Sequence, residues 1–191
     1  MQVNIPNILT WGRIALIPVF IGIFYVPDDW LSMGQKNLLA TIFFVTAAVT
    51  DWFDGYLARV LHQTSAFGAF LDPVADKLMV TASLIVLVQL ERVDALIAVV
   101  IIGREITISA LREWMAREGE HASVAVATIG KLKTAVQMTA IPMMLFHNVS
   151  VPGLEKITFQ TVGSVLIYIA AALTLWSMGY YLHRAMSRLD K

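Results

Sequence analysis

The chain alternates between long apolar blocks and short polar breaks. A helix that crosses a bilayer needs roughly 20 mainly apolar residues, and six blocks approach that length. The pattern predicts helices over 8–25, 38–60, 67–90, 94–115, 128–147 and 157–183, with breaks such as "VPDD" after the first block and "NVSVPG" after the fifth. No internal repeat, low-complexity tract or long linker interrupts them. The expected fold is therefore all-α: one polytopic membrane domain over residues 1–191, with six transmembrane helices.

Basic residues orient such a bundle, because they are retained on the cytoplasmic side. An even number of spans places both termini on one side. That side carries Arg59, Arg112, Arg117, Lys131, Lys133, Arg184, Arg188 and Lys191. The opposite loops carry Lys36, Arg92 and Lys156 among Asp28, Asp29, Glu91, Asp94 and Glu155. The asymmetry predicts cytoplasmic termini. The five tryptophans largely flank the predicted helix ends, as interfacial anchors do.

Composition supports the membrane reading. Of 191 residues, 58% are hydrophobic, against about 45–50% in soluble domains; mean hydropathy is +0.70. Net charge is zero, which gives no reason to expect nucleic acid as a partner. The absence of cysteine excludes disulfides, thiolate metal sites and cysteine nucleophiles. "MQVNIPNILTWGR" lacks the basic region of a cleavable signal peptide, so the first apolar segment is expected to be retained.

Against this background one stretch stands apart: "DWFDGYLARVLHQTSAFGAFLDPVAD", with Asp51, Asp54, Asp72 and Asp76. Unpaired carboxylates beside lipid are costly. Asp51 and Asp54 are one helical turn apart, as are Asp72 and Asp76, so each pair shares a face. "HQTSAFG" is able to turn the chain so that the pairs converge. Gly55 removes a side chain where something must approach the backbone, and Pro73 suits a helix's first turn. Four converging carboxylates repel unless cations neutralise them. Arg59 and Lys77 offset part of the charge. Hard divalent cations with oxygen ligands are the more natural partners, Mg²⁺ above all beside phosphates. Two such ions can clamp a phosphoryl group, and one carboxylate can act as general base. A single acidic residue near a helix end would be merely interfacial; two pairs at helical spacing near one membrane face call for chemistry.

The residues Asp51, Asp54, Gly55, Ala58, Arg59, Gly68, Asp72 and Asp76 match the spacing D-x-x-D-G-x-x-A-R-x8-G-x-x-x-D-x-x-x-D. This resembles the signature of the CDP-alcohol phosphatidyltransferase family. "NIPNILTWGRIALIP", "GREITISALREWMA", "IGKLKTAVQM" and "LTLWSM" extend the resemblance over nearly the whole chain, toward bacterial members that use glycerol 3-phosphate. The resemblance implies a six-helix enzyme of the bacterial inner membrane, commonly a homodimer, with a polar cavity open to the cytoplasm. It would move the phosphatidyl group from CDP-diacylglycerol to glycerol 3-phosphate and release CMP. By analogy Asp51, Asp54 and Asp72 ligate Mg²⁺ or Mn²⁺, two ions in all. Asp76 is the general base and shares the second metal. Gly55, Ala58 and Arg59 line the CDP-lipid site, and Gly68 lets the third helix approach closely.

Charge placement extends the candidate set. Arg104 and Arg112 lie close to one face of the fourth helix, and Lys131 and Lys133 open the fifth. A cationic cluster beside a metal site suits an anionic, phosphate-bearing acceptor. Arg104, Arg112, Lys131 and Lys133 are thus the candidates for the acceptor phosphate, with Glu105 and Glu113 orienting or neutralising them. In the first helix Asn7, Thr10 and Arg13 either cap its start or face the nucleotide. Three competing readings stand beside this one. A family member with another acceptor, such as a cardiolipin or phosphatidylinositol phosphate synthase, would share the signature. A divalent-cation transporter would use intramembrane carboxylates, but these form no ladder across the bilayer. A structural membrane protein would leave the aspartate spacing unexplained.

Overall fold

The computed structural model describes residues 5–60, 66–117, 124–147 and 156–189. Inside these helices the side chains of Asn7, Asp54, Ala58, Arg59, Arg112 and Lys131 and the surroundings of Gly55 lie outside the described part. All six predicted helices form: α1 (Ile5–Gly22), continued by a short 3₁₀ turn at Ile23–Tyr25, α2 (Met33–Val60), α3 (Ala66–Gln89), α4 (Ala95–Arg117), α5 (Val124–Leu145) and α6 (Lys156–Leu189). No strand occurs among the described residues. The main departures from expectation are at helix ends: α2 starts earlier, at Met33, and α6 runs on to Leu189. Apolar character ends where the helix leaves the bundle's apolar zone, whereas backbone hydrogen bonding continues until a cap or a break stops it. Pro73 also differs. Because α3 begins at Ala66, Pro73 lies inside the helix, where it has no N–H to give the carbonyl one turn back.

Local signals account for two helix starts. Ser32 caps α2: its Oγ accepts from the Gln35 backbone N–H (3.4 Å), and Gln35 Oε1 accepts from the Ser32 N–H (2.9 Å). This is a capping box. Asp94 caps α4 by accepting the Leu96 N–H at 2.7 Å.

α1 packs on α2 and α3, α5 packs on α6 and α2, and α4 packs on α6. Phe20, Phe44, Leu84, Leu87, Ile101, Ile141 and Met144 fill the interior and are fully or almost fully buried. At Gly163 the α5–α6 contact leaves no room for a side chain, since a Cβ there would stand 2.7 Å from Met144 Cγ and 3.3 Å from the Met144 backbone nitrogen. The outside is apolar as well. Every helix presents large hydrophobic side chains outward, among them Val19, Val49, Phe70, Leu78, Ile85, Val99, Ile106, Leu132, Val165 and Trp176. Two segments, Ile8–Tyr25 and Phe159–Gly179, are both long and apolar enough to cross a membrane by composition alone. The other helices carry charges that lower their average hydropathy.

At the end of the bundle that holds the α1–α2 and α3–α4 loops, polar groups satisfy one another. Arg92 donates to the Met144 and Leu145 carbonyls at the end of α5 (both 3.2 Å) and to Asn37 Oδ1 (2.8 Å). Asn37 Nδ2 in turn donates to the His147 carbonyl. A cation at a helix C-terminus meets its unpaired carbonyls and the negative end of its dipole. Burial lowers the Arg92 pKa to about 10, which leaves it charged at neutral pH. Lys36, expected as a loop charge, is instead buried in the first turn of α2 and ion-paired with Asp28 at 2.6 Å.

Candidate active site

The other end of the bundle gathers the aspartates. Asp51 lies in the second half of α2, and Asp72 and Asp76 lie in the first half of α3. Antiparallel packing brings these segments to one level, and α1 leans against both helices. Thr10 and Arg13 reach in from α1, and both are almost completely buried. Thr10 Oγ1 donates to Asp72 Oδ1 at 2.6 Å. Arg13 Nη1 donates to Asp51 Oδ1 at 2.6 Å and to Asp76 Oδ1 at 2.8 Å. One guanidinium nitrogen therefore holds carboxylates from two helices together. The spacing of Thr10 and Arg13, one turn apart, makes this possible.

The carboxylates are not sealed in. Asp51 and Asp76 retain 39% and 36% side-chain exposure, while Arg13 retains 2%. They line a cavity of about 250 Å³ between α1, α2, α3 and α5, whose remaining wall is mostly apolar: Phe44, Ala47, Met79, Val80 and Met138. A shallower apolar depression between α2 and α5, lined by Phe44, Val45, Ala48, Val49 and Met138, shares three of its residues with that cavity and faces outward. On the other side of Asp76 a second cavity, of about 180 Å³, is walled by Lys77, Glu105, Thr134 and Gln137 among others. Asp76 is the one carboxylate, among the described residues, that lines both.

Two of the cationic candidates, Lys133 and Arg104, meet Glu105, which lines this second cavity. Lys133 is buried and ion-paired with Glu105. Arg104 stands 3.6 Å from the same Glu105 carboxylate and donates to Ser177 Oγ on α6 at 2.9 Å. Glu105 thus neutralises basic residues, in line with the sequence reading. Arg112 and Lys131 lie on α4 and α5, and Asn7 on α1, without described side chains. The same holds for Asp54, Gly55, Ala58 and Arg59 on the last turns of α2, while Gly68 is buried in the first turn of α3.

Three carboxylates against the single guanidinium of Arg13 leave two negative charges in this set. Their oxygens are hard donors of the kind that hold Mg²⁺ or Mn²⁺, and Asp51 and Asp76 already converge on one positive charge. The donor set fits a divalent cation. No group of three acidic or imidazole side chains is close enough to form a complete metal cage among the described residues, which exclude the Asp54 carboxylate.

Similarity to known proteins agrees with this geometry. The family model described as CDP-alcohol phosphatidyltransferase matches residues 3–176. The chain belongs to the CDP-alcohol phosphatidyltransferase family. A protein of Pectobacterium atrosepticum named CDP-diacylglycerol–glycerol-3-phosphate 3-phosphatidyltransferase is 50% identical, over 97% of this chain and 96% of that one. Proteins of the same name from Yersinia enterocolitica and Escherichia coli K12 are 48% and 46% identical, each over 99% of this chain and 98% of the relative. For this family member, then, the aspartate stretch and the whole-chain motifs pointed to the right relatives. Sequence reasoning passed over Thr134 and Gln137. Their only signal was polarity in the apolar run "LKTAVQMTAIPMML", with Gln137 one helical turn after Lys133 and three residues after Thr134.

Proposed function

We propose that the chain crosses a membrane six times as one domain and transfers the phosphatidyl group of CDP-diacylglycerol to a hydroxyl of glycerol 3-phosphate, giving phosphatidylglycerol phosphate and CMP. The observation that carries this reading is the meeting of Asp51, Asp72 and Asp76 with Thr10 and Arg13 at one end of a bundle whose outer surface is apolar on every helix. An outward apolar surface of this extent is foreign to a soluble monomer. Lipid around the helices makes it favourable. The names carried by relatives at 46–50% identity supply the donor and acceptor.

In this reading the larger cavity takes the phosphate end of the lipid donor, with its apolar wall and the outward depression beside it toward the acyl region. Asp76, between the two cavities, accepts the proton of the acceptor hydroxyl. The hydroxyl oxygen attacks the phosphorus that bears diacylglycerol, the bond to the CMP phosphate breaks, and CMP departs. Asp51, Asp54 and Asp72, with Asp76 shared, would hold two Mg²⁺ or Mn²⁺ ions. These would neutralise charge building on the pyrophosphate oxygens, a large contribution in phosphoryl chemistry. Arg13 keeps Asp51 and Asp76 together, and Thr10 orients Asp72. Gly55, Ala58, Arg59 and Gly68 serve the CDP-lipid site, with Asn7 beside them.

Arg104 and Lys133 flank Glu105 and leave one net positive charge beside the smaller cavity; with Arg112 and Lys131 they attract the acceptor phosphate. The basic asymmetry sets the termini and the site on the cytoplasmic side of a bacterial inner membrane, and the enzyme acts as a homodimer. The test is CMP release by purified protein from CDP-diacylglycerol with Mg²⁺, one acceptor at a time. Release with glycerol 3-phosphate that stops on chelation supports the reading. Release only with inositol phosphate or phosphatidylglycerol moves the protein within the family, and no release from folded protein removes the reading altogether.

A further inference from the structure

Beside the smaller cavity lies a buried polar atom that meets no hydrogen-bond partner among the described residues. Gln137 on α5 is 3% exposed, and its Oε1 is buried with no hydrogen-bond partner among the described residues. Buried side-chain acceptors are nearly always paired, and one left over calls for a missing donor. The amide lines the same cavity as Asp76, Lys77, Glu105 and Thr134. At about 180 Å³ this cavity is smaller than the roughly 300 Å³ or more that holds a drug-sized ligand, so it suits a small polar molecule and not a lipid.

The lining residues differ in chemistry. Asp76 and Glu105 are acceptors, Lys77 brings positive charge, and the Gln137 amide oxygen is able to accept from a neutral donor. A molecule that matches this wall has one hydroxyl at Asp76, a second hydroxyl near Gln137 and an anionic group drawn by Lys77 and by the basic residues around Glu105. We propose that Gln137 is a specificity-determining residue, which accepts a hydrogen bond from the acceptor hydroxyl adjacent to the one that reacts, and so selects a vicinal diol phosphate over a simple phosphorylated alcohol. This assignment rests on the proposed transfer to glycerol 3-phosphate and adds which part of that acceptor is read, and by which atom. A site built to bond a hydroxyl rejects the analogue that lacks it, because its own buried group is then left unpaired.

The test compares glycerol 3-phosphate with 3-hydroxypropyl phosphate, which keeps the primary hydroxyl and the phosphate but lacks the middle hydroxyl. CMP release by the full-length protein is measured with CDP-diacylglycerol and Mg²⁺. The unaltered protein is expected to favour glycerol 3-phosphate by about tenfold or more in kcat/KM. Gln137→Met, close in shape and without an acceptor oxygen, is expected to lose most of that preference, by falling with glycerol 3-phosphate and staying within about twofold with the analogue. Gln137→Glu keeps an acceptor oxygen and the preference, and it carries the test if Gln137→Met does not fold. Equal losses with both acceptors in Gln137→Met would reveal a packing role and overturn the assignment. So would an undiminished preference in Gln137→Met, a lost preference in Gln137→Glu, or no preference in the unaltered protein. Absence of CMP release with either acceptor from the unaltered, folded protein removes the underlying reading, which is a separate and recognisable result.

Discussion

The two ends of this helix bundle handle buried polarity in opposite ways. Around Arg92 each partner finds its complement: the guanidinium meets two α5 carbonyls and Asn37, and Asn37 spans to the His147 carbonyl. Around Arg13 the balance is left incomplete. One guanidinium faces two carboxylates that keep more than a third of their exposure, a third carboxylate stands beside Thr10, and cavities open on both sides of Asp76. The first arrangement joins three segments of chain. The second holds surplus negative charge next to open space, the arrangement expected where something else is to bind. In the proposed reading stability and function are divided between the ends, and substitutions separate them.

The largest expected effect is at the open end. Asp76→Asn keeps the size but removes the proposed base, and CMP release from CDP-diacylglycerol should fall about 10²- to 10⁴-fold. Its thermal unfolding midpoint should not drop, because one of several repelling charges has gone. A lower midpoint with activity retained would reverse the comparison.

Arg13→Met should come next, with activity lowered by about a hundredfold, since Asp51 and Asp76 lose the group that positions both. Raising Mg²⁺ should restore part of the rate, because the added cation offsets the repulsion that Arg13 had relieved. A titration of rate against Mg²⁺ for the variant and the parent checks this, and identical curves would mean that Arg13 does not share in the charge balance.

At the closed end the expectation inverts. Arg92→Met leaves two helix-end carbonyls and Asn37 without their donor and should cost about 1–3 kcal/mol of stability, seen as a lower unfolding midpoint in detergent, with kcat near that of the parent at low temperature. The smallest effect belongs to Gly163→Ala. Its Cβ would press on Met144 Cγ and Met143 Cβ, and about 1 kcal/mol of overpacking is expected, seen as a slightly lower unfolding midpoint with activity retained.

How much of this was legible beforehand depends on the range of the interactions. Helix number and approximate position follow from apolar runs, and the pairing of Asp51 with Asp54 and of Asp72 with Asp76 follows from a 3.6-residue period, so both are properties of neighbouring residues. The capping box at Ser32 and Gln35 is equally local. Family membership was also legible, because eight positions at constrained spacing form a pattern that no single helix requires. Thr10 and Arg13 were visible only as polar residues at helical spacing, with capping as the competing explanation. Their partners lie 62, 38 and 63 positions away, and packing of α1 against α2 and α3 alone selects them.

The same limit explains Lys36 and Gln137. A lysine at the edge of an apolar block looks like a loop charge, and a lone glutamine in an apolar helix carries no instruction about its neighbours. Tertiary structure decided that Lys36 would be buried against Asp28 and that Gln137 would line the cavity beside Asp76, its oxygen meeting no partner among the described residues. The sequence by itself determined six helices, their apolar surfaces and the presence of an acidic site, because periodicity and hydropathy act along the chain. Which cation meets which carboxylate, and where space remains between them, arose only when helices distant in sequence packed side by side.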